Sequence, residues 1–314
     1  MSPLARLSVG LAFGALVACA PARDSDREAA SGALIGGSTA APDTFPATVA
    51  LAPVPHGGRP DGGASPLGRT CTAARIGPRH LLLAAHCVIA PSSVSPIWKR
   101  GDAALLLHDS TRGWQDVVVD AVFAHPSWIE RCEESYCAAS ETTAKIDAPD
   151  VAIVRLASVP DDVATAEIDE RPLAPGDPVT LNGFGCNANV DVADDRASVA
   201  LAFAPSEVLP FAAAVHEGSP VTSADAPAAG IYALTRGPGA DGRAAGLCPG
   251  DSGGPLYRTV DGVARVVGVN ANYTFVPEGA AGAGLPVTNW HTRLDTASRH
   301  DVARWLRDAV ARTD

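Results

Sequence analysis

After residue 19 the chain has no apolar segment approaching the ~20 residues that a membrane-spanning helix needs, which leaves at most a tether near the N-terminus. Positive charge is scarce: 24 Lys and Arg stand against 35 Asp and Glu, a net charge of −11 that speaks against a general nucleic-acid binder. Lysine is almost missing, with only Lys99 and Lys145, a bias toward Arg that carries no functional weight. No two cysteines form a C-x-x-C unit and no two histidines lie at i, i+4, so a zinc site is not expected. There is no heptad pattern and no repeat of 20 to 50 residues, which excludes coiled coils and solenoids. Disorder is excluded by composition, since 46% of the residues are hydrophobic and 19% charged.

What is present begins with a targeting segment. Arg6 supplies a positive charge, and Leu7 to Val17 form an apolar stretch too short to span a membrane. Leu16-Val17-Ala18-Cys19 resembles a bacterial lipobox, which would make residues 1–18 a lipoprotein-type signal peptide and Cys19 the lipidated residue. The alternative is ordinary signal-peptidase cleavage nearby, disfavoured by Pro21 just after an Ala18-Cys19-Ala20 site. Residues 19–33 are small, polar and charged and read as a tether or propeptide. Without Cys19 six cysteines remain, an even number that suits three disulfides in an oxidising compartment. The expected location is exported, either as a cell-surface or outer-membrane lipoprotein or as a secreted protein.

With 30 Gly and 26 Pro the chain offers many turns, which favour short strands over long helices. Val49–Leu51, His80–Ala85, Val117–Phe123, Val151–Leu156, Val179–Leu181 and Val263–Val269 read as strands. Gly/Pro/Asp-rich loops fall at His56–Gly68 and Val190–Ala197. Only the C-terminal end reads as a helix, with Val302, Trp305, Leu306, Ala309 and Val310 on one face. Many short strands and one terminal helix predict an all-β barrel architecture.

Three motifs carry chemistry. Gly250-Asp251-Ser252-Gly253-Gly254-Pro255 surrounds a serine with residues that allow a tight turn. A serine hydroxyl attacks a carbonyl only with a base to take its proton and donors to stabilise the resulting oxyanion. Taken alone, the G-x-S-x-G within this run also fits an α/β-hydrolase elbow. Ala84-Ala85-His86-Cys87 puts a histidine at the end of the apolar run Leu81-Leu82-Leu83. Asp150 leads the apolar strand Val151–Leu156, where a turn-forming role would otherwise be the default.

AAHC, DVAIVRL and GDSGGP, in the order His, Asp, Ser, resemble the trypsin/chymotrypsin family of serine peptidases, as do Leu34-Ile35-Gly36-Gly37 and Phe45-Pro46. The order rejects the α/β-hydrolase alternative, which needs Ser before Asp before His. The resemblance implies a chymotrypsin fold over 34–314: two packed six-stranded antiparallel β-barrels, about 34–160 and 161–314, the second followed by the helix. It also implies a serine endopeptidase with His86 as general base, Asp150 as its orienting partner, Ser252 as nucleophile, and the N–H groups of Gly250 and Ser252 as oxyanion hole. No metal or organic cofactor is required, and the expected partner is a protein or peptide substrate met by a monomer. A catalytically silent homologue that binds partners and an esterase are the competing readings.

The resemblance further pairs the α-amino group of a newly cut Leu34 with Asp251, yet Ser31-Gly32-Ala33 places no basic residue before that cut. Gly246, six positions before Ser252, gives a neutral pocket floor that does not suit Arg or Lys. Along the pocket wall Ala271 stands where the family carries a supporting Ser, and Tyr273 where it carries Gly. A narrow neutral pocket selects small apolar side chains, and Ala33 itself meets that requirement. Cys71–Cys87 is implied by the resemblance. Cys132 and Cys137, close together in an insertion between His86 and Asp150, are expected to form a local clip, and Cys186 and Cys248 to pair as the remaining two.

Overall fold

The computed structural model describes residues 34–41, 43–54, 70–90, 94–108, 111–134, 147–186, 200–216, 219–221, 223–238, 244–275 and 286–313. The signal segment, Cys19, the tether, Cys137 and the two predicted long loops lie outside the described residues.

Six strands close the first barrel: β2 (Thr48–Pro53), β3 (Cys71–Arg75), β4 (His80–Leu83), β5 (Ala103–Leu107), β6 (Gln115–Ala124) and β7 (Ala152–Leu156). They pair antiparallel in the order β2-β3-β4-β7-β6-β5. Alternate side chains face the interior, so Leu51, Leu81, Leu83, Leu106 and Ile153 are fully buried together. Each such side chain contributes about 2–3 kcal/mol by leaving water. The other face of β4 is buried as well, and this explains its uninterrupted apolar run. Beyond β6 the chain forms α1 (Pro126–Glu134), a helix that the sequence reading lacked. It is short, it starts with Pro at its first position, and it buries only Trp128 and Cys132, with Ile129 packed partly against the same core.

The second half contains β8 (Pro178–Gly183), β9 (Ala202–Glu207), β10 (Tyr232–Arg236), β11 (Pro255–Val260), β12 (Val263–Phe275) and β13 (Pro286–Arg293). Their order is β9-β8-β11-β12-β13-β10, and the bridge Val208–Thr235 draws the two ends together. A seventh strand, β1 (Ser38–Thr39), adds outside β9, so the N-terminal segment completes the second sheet. The all-β, two-barrel arrangement expected from the motifs is thus present, with that added edge strand. The terminal helix α2 (Val302–Ala311) buries Val302, Leu306 and Ala309 against the first barrel's core, the i, i+4, i+7 spacing of one helical face. Among the described residues no helix is long and apolar enough to cross a membrane.

Polar contacts weld the two halves along one line. Thr48 Oγ1 meets Tyr257 Oη at 3.0 Å, and the Phe45 and Tyr257 rings stack at 5.3 Å. The Thr72 hydroxyl donates to the Gly250 carbonyl at 2.8 Å and accepts the Phe184 N–H at 2.9 Å. The Thr72 N–H donates to the Ser252 carbonyl at 2.9 Å. These bonds fix the Gly250–Ser252 turn to strand β3 of the opposite barrel.

Candidate active site

Strand β4 ends at Leu83 and the chain turns into one 3-10 turn, Ala85–Cys87, in which Ala85 and Cys87 are buried and His86 is only partly so. A disulfide between Cys71 and Cys87 ties that turn back to β3. Asp150 precedes β7, the strand that pairs with β4. Its carboxylate takes two bonds from the same residue: the His86 N–H reaches Oδ1 at 2.9 Å, and His86 Nδ1 reaches Oδ2 at 2.5 Å. A carboxylate only accepts, so Nδ1 carries the proton and Nε2 presents a lone pair on the opposite ring edge. Asp150 is 5% exposed and His86 26%, so the carboxylate is shielded while the ring remains accessible. Burial opposes the imidazolium, but the charge and hydrogen bond of Asp150 outweigh it and raise the His86 pKa above 6.5.

The second half supports Asp150 from behind. The Thr292 hydroxyl donates to the Asp150 carbonyl at 2.9 Å, and the Tyr232 hydroxyl donates to the Ala148 carbonyl at 2.7 Å. Burial, with the Asp150 charge nearby, pushes the Tyr232 phenol well above its ordinary value, so it remains a donor. Ala271 is buried among Tyr232, Leu234 and Trp290 and offers no hydroxyl. Tyr232 and Thr292 are cross-strand partners on β10 and β13, and neither was visible as a site residue in the sequence.

Ser252 is half-buried beside the same disulfide. Its carbonyl oxygen lies 3.8 Å from Cys87 Sγ, and His86 Nε2 lies 3.9 Å from that sulfur. The Ser252 hydroxyl makes no hydrogen bond among the described residues; in ligand-free sites such bonds are commonly long and tighten only with substrate. Gly250 and Gly253 take φ +99° and +83°, and a Cβ on Gly253 would sit 2.3 Å from the Thr72 carbonyl, so the motif's glycines are sterically required. Among the described residues the N–H groups of Gly250 and Ser252 donate to no protein atom, whereas their neighbours Asp251, Gly253 and Gly254 all donate.

A family model described as trypsin matches residues 34–284, well over half of the chain. The chain belongs to the trypsin family. Comparison with curated proteins gives no match.

Within this trypsin-family chain, Asp251 is fully buried, its carboxylate accepting the N–H groups of Gly185 and Cys248, each at 2.9 Å. Burial pushes its carboxyl well above 3.8, with those two bonds opposing the shift. Leu34 is also fully buried, and Ile35 bridges Gly246 through paired backbone bonds of 3.1 and 2.9 Å. The Gly246 segment and the N-terminal segment are therefore joined as one unit. Tyr273 pairs with Asn289 across β12 and β13. The Asn289 side chain accepts the Leu247 N–H and donates to the Ala245 carbonyl, both at 3.0 Å, thereby spanning the segment that contains Gly246. Asn289 escaped the sequence reading; the available signal was a polar pair at i, i+2, Asn289 and His291, inside a strand too buried to tolerate unpaired polar groups.

The disulfide Cys186–Cys248 is formed, and Ile35 packs against it. Cys132 is buried and disulfide-bonded, while Cys137, its expected partner, lies outside the described residues. Cys71, His86 and Cys87 cluster closely enough to suggest a metal site, but both sulfurs are consumed in the disulfide and leave the ring without co-ligands.

Proposed function

We propose that this trypsin-family chain is an exported serine endopeptidase in which Ser252 attacks the scissile carbonyl. His86 Nε2 takes the hydroxyl proton and then delivers it to the leaving amine, and water repeats the sequence on the acyl-enzyme. Asp150 holds the ring in the required tautomer and stabilises the imidazolium formed during attack. The open N–H groups of Gly250 and Ser252 receive the oxyanion; each such donor supplies about 3 kcal/mol of transition-state stabilisation. The observation that carries this reading is the two-point attachment of His86 to Asp150, which makes Nε2 the ring nitrogen that bears the lone pair. A fluorophosphonate probe tests it: labelling at Ser252 is expected, and a folded, unlabelled protein would favour the silent, partner-binding homologue.

The pocket supports a preference for small residues. Gly246 brings no charge, the buried Asn289 side chain is bonded to the backbone on either side of it, and Tyr273 stands where the family carries Gly. A peptide library should show cleavage after Ala or Val at least ~100-fold faster than after Arg or Lys, since a buried guanidinium without a partner is strongly disfavoured. A profile led by Arg or Lys would refute the pocket assignment.

The proposal extends to maturation. Residues 1–18 act as signal, Cys19 as lipid attachment site, and cleavage after Ala33 frees the Leu34 amine to pair with Asp251. This predicts a linkage effect. In the uncut chain the Asp251 carboxyl has a raised pKa, so its contribution is present below ~3.9 and is lost as pH rises through the folded value. After cleavage an ammonium partner stabilises the carboxylate and removes that loss. Thermal melts of uncut and cut protein, both carrying Ser252→Ala, should therefore diverge as pH rises from 4 to 8 in favour of the cut form. Parallel profiles would overturn the pairing.

A further inference from the structure

A chain of buried polar side chains runs from the pocket floor to the turn that bears Ser252. Asn289 Nδ2 shares its two hydrogens among three acceptors, Thr235 Oγ1 at 3.1 Å, the Arg236 carbonyl at 3.2 Å and the Ala245 carbonyl at 3.0 Å, while its Oδ1 accepts the Leu247 N–H. Thr235 Oγ1 and His291 Nε2 are 3.0 Å apart. His291 Nδ1 and Asn270 Oδ1 are 2.8 Å apart. Asn270 Nδ2 then donates to the Asn182 carbonyl at 2.9 Å and to the Asp251 carbonyl at 3.1 Å. Thr235, Asn270, Asn289 and His291 are all fully buried.

The direction of every bond follows from the donor inventory. Both Asn270 Nδ2 hydrogens face carbonyls, so Oδ1 must accept, and His291 Nδ1 must carry the ring proton. His291 Nε2 is then an acceptor, which makes the Thr235 hydroxyl the donor and its oxygen the acceptor for Asn289. Burial lowers the His291 pKa to about 3, so the ring remains neutral and this arrangement persists across the working pH range. Asn270 also exchanges backbone bonds with the nucleophile turn: the Gly253 N–H donates to its carbonyl at 2.7 Å, and its N–H donates to the Gly254 carbonyl at 2.8 Å.

We propose that Asn289, Thr235, His291 and Asn270 form a coupling relay through which the segment flanking Gly246 sets the position of the Asp251–Ser252 turn, with His291 as its central positioning residue. The inference rests on the peptidase reading of that turn. None of the four touches the reacting atoms. They act on the placement of Ser252 and its N–H donors, where an error near 1 Å reduces rate by about 10²-fold. Packing alone would be served by apolar residues here; a fully satisfied network instead confines the two segments to one relative arrangement.

Kinetics normalised by active-site titration, together with hydrogen exchange, test the relay. Asn270→Ala is expected to lower kcat per titrated site by ~10–100-fold with little change in KM. His291→Gln, whose amide again offers one donor and one acceptor, should retain most of the rate, and His291→Leu should not. Because His291→Leu leaves two buried polar groups unpaired and can fail to fold, Asn289→Ala at the far end serves as the second variant. The double variant Asn289→Ala/Asn270→Ala should be no slower than Asn270→Ala alone, the non-additivity of residues acting as one unit. Both single variants should speed amide exchange in residues 247–254 about 10-fold. Additive losses, a pure KM effect, or unchanged exchange would overturn the relay. A wild-type protein that neither labels nor cleaves peptides, yet shows the coupled exchange, would instead overturn the peptidase reading and leave the relay standing.

Discussion

Ser252→Ala should abolish fluorophosphonate labelling and reduce kcat/KM on the order of 10⁵–10⁶-fold while leaving the fold intact. The size of the effect follows from the proposed role of Ser252 as nucleophile, since alanine has no hydroxyl to form the acyl-enzyme. The fold should survive because the bonds anchoring that turn are made by the main chain, through the Ser252 carbonyl and the Thr72 N–H at 2.9 Å, and the side chain contributes none. Circular dichroism and a thermal melt establish the folded state; hydrolysis of an optimised peptide establishes the loss. Retention of full proteolytic rate would end the serine-peptidase reading.

Asp150→Asn should lower kcat/KM by ~10⁴-fold near neutral pH, although the amide is nearly the same size as the carboxylate. An Asn side chain cannot accept at both oxygen positions. It would face either the His86 N–H or the ring Nδ1–H with its own N–H₂, and the ring then turns or adopts the other tautomer. The pH profile supplies a second readout. Only the neutral imidazole can accept the Ser252 proton, so kcat/KM rises with pH, with its midpoint at the free enzyme's His86 pKa. That midpoint should lie above 6.5 in the native protein because Asp150 raises it. In Asp150→Asn the raising influence is gone and burial remains, so the residual activity should have its midpoint below the native one. An unchanged midpoint would show that Asp150 does not act on the ring.

Much of the site was legible because its demands are local. The run from Gly250 to Pro255 can be read from six consecutive residues, since the turn admits no Cβ at several of them. His86 could be placed from the apolar strand before it and the cysteine after it. The strands Val117–Phe123 and Val151–Leu156 announced themselves through β-branched side chains. Strands β3, with the sequence CTAAR, and β5, with AALLL, did not, since alanine and leucine carry no strand preference and the barrel ladder alone holds them extended.

Cys186 and Cys248, 62 positions apart, were paired only by exhausting the alternatives, and the fold makes that bond. Tyr232, Thr292 and Asn270 gave no warning of their contacts, and Asn289 and His291 only the weak signal of a polar pair inside a buried strand. Each is an ordinary strand residue until cross-strand register selects its partner.

The amino-acid sequence by itself determined the chemical parts of this protein: a serine in an obligatory glycine-rich turn, a histidine at a strand end, an acid ahead of a buried strand, and their order along the chain. Tertiary structure alone decided which ring nitrogen carries the proton, which N–H groups stay open, and which buried amide bonds the turn that bears Ser252. The physical reason is that a hydrogen bond is specified by position and direction in space, and here the partners lie 64 residues apart in His86–Asp150 and 142 in Asp150–Thr292. Only the packing of two barrels brings such distant groups to one line.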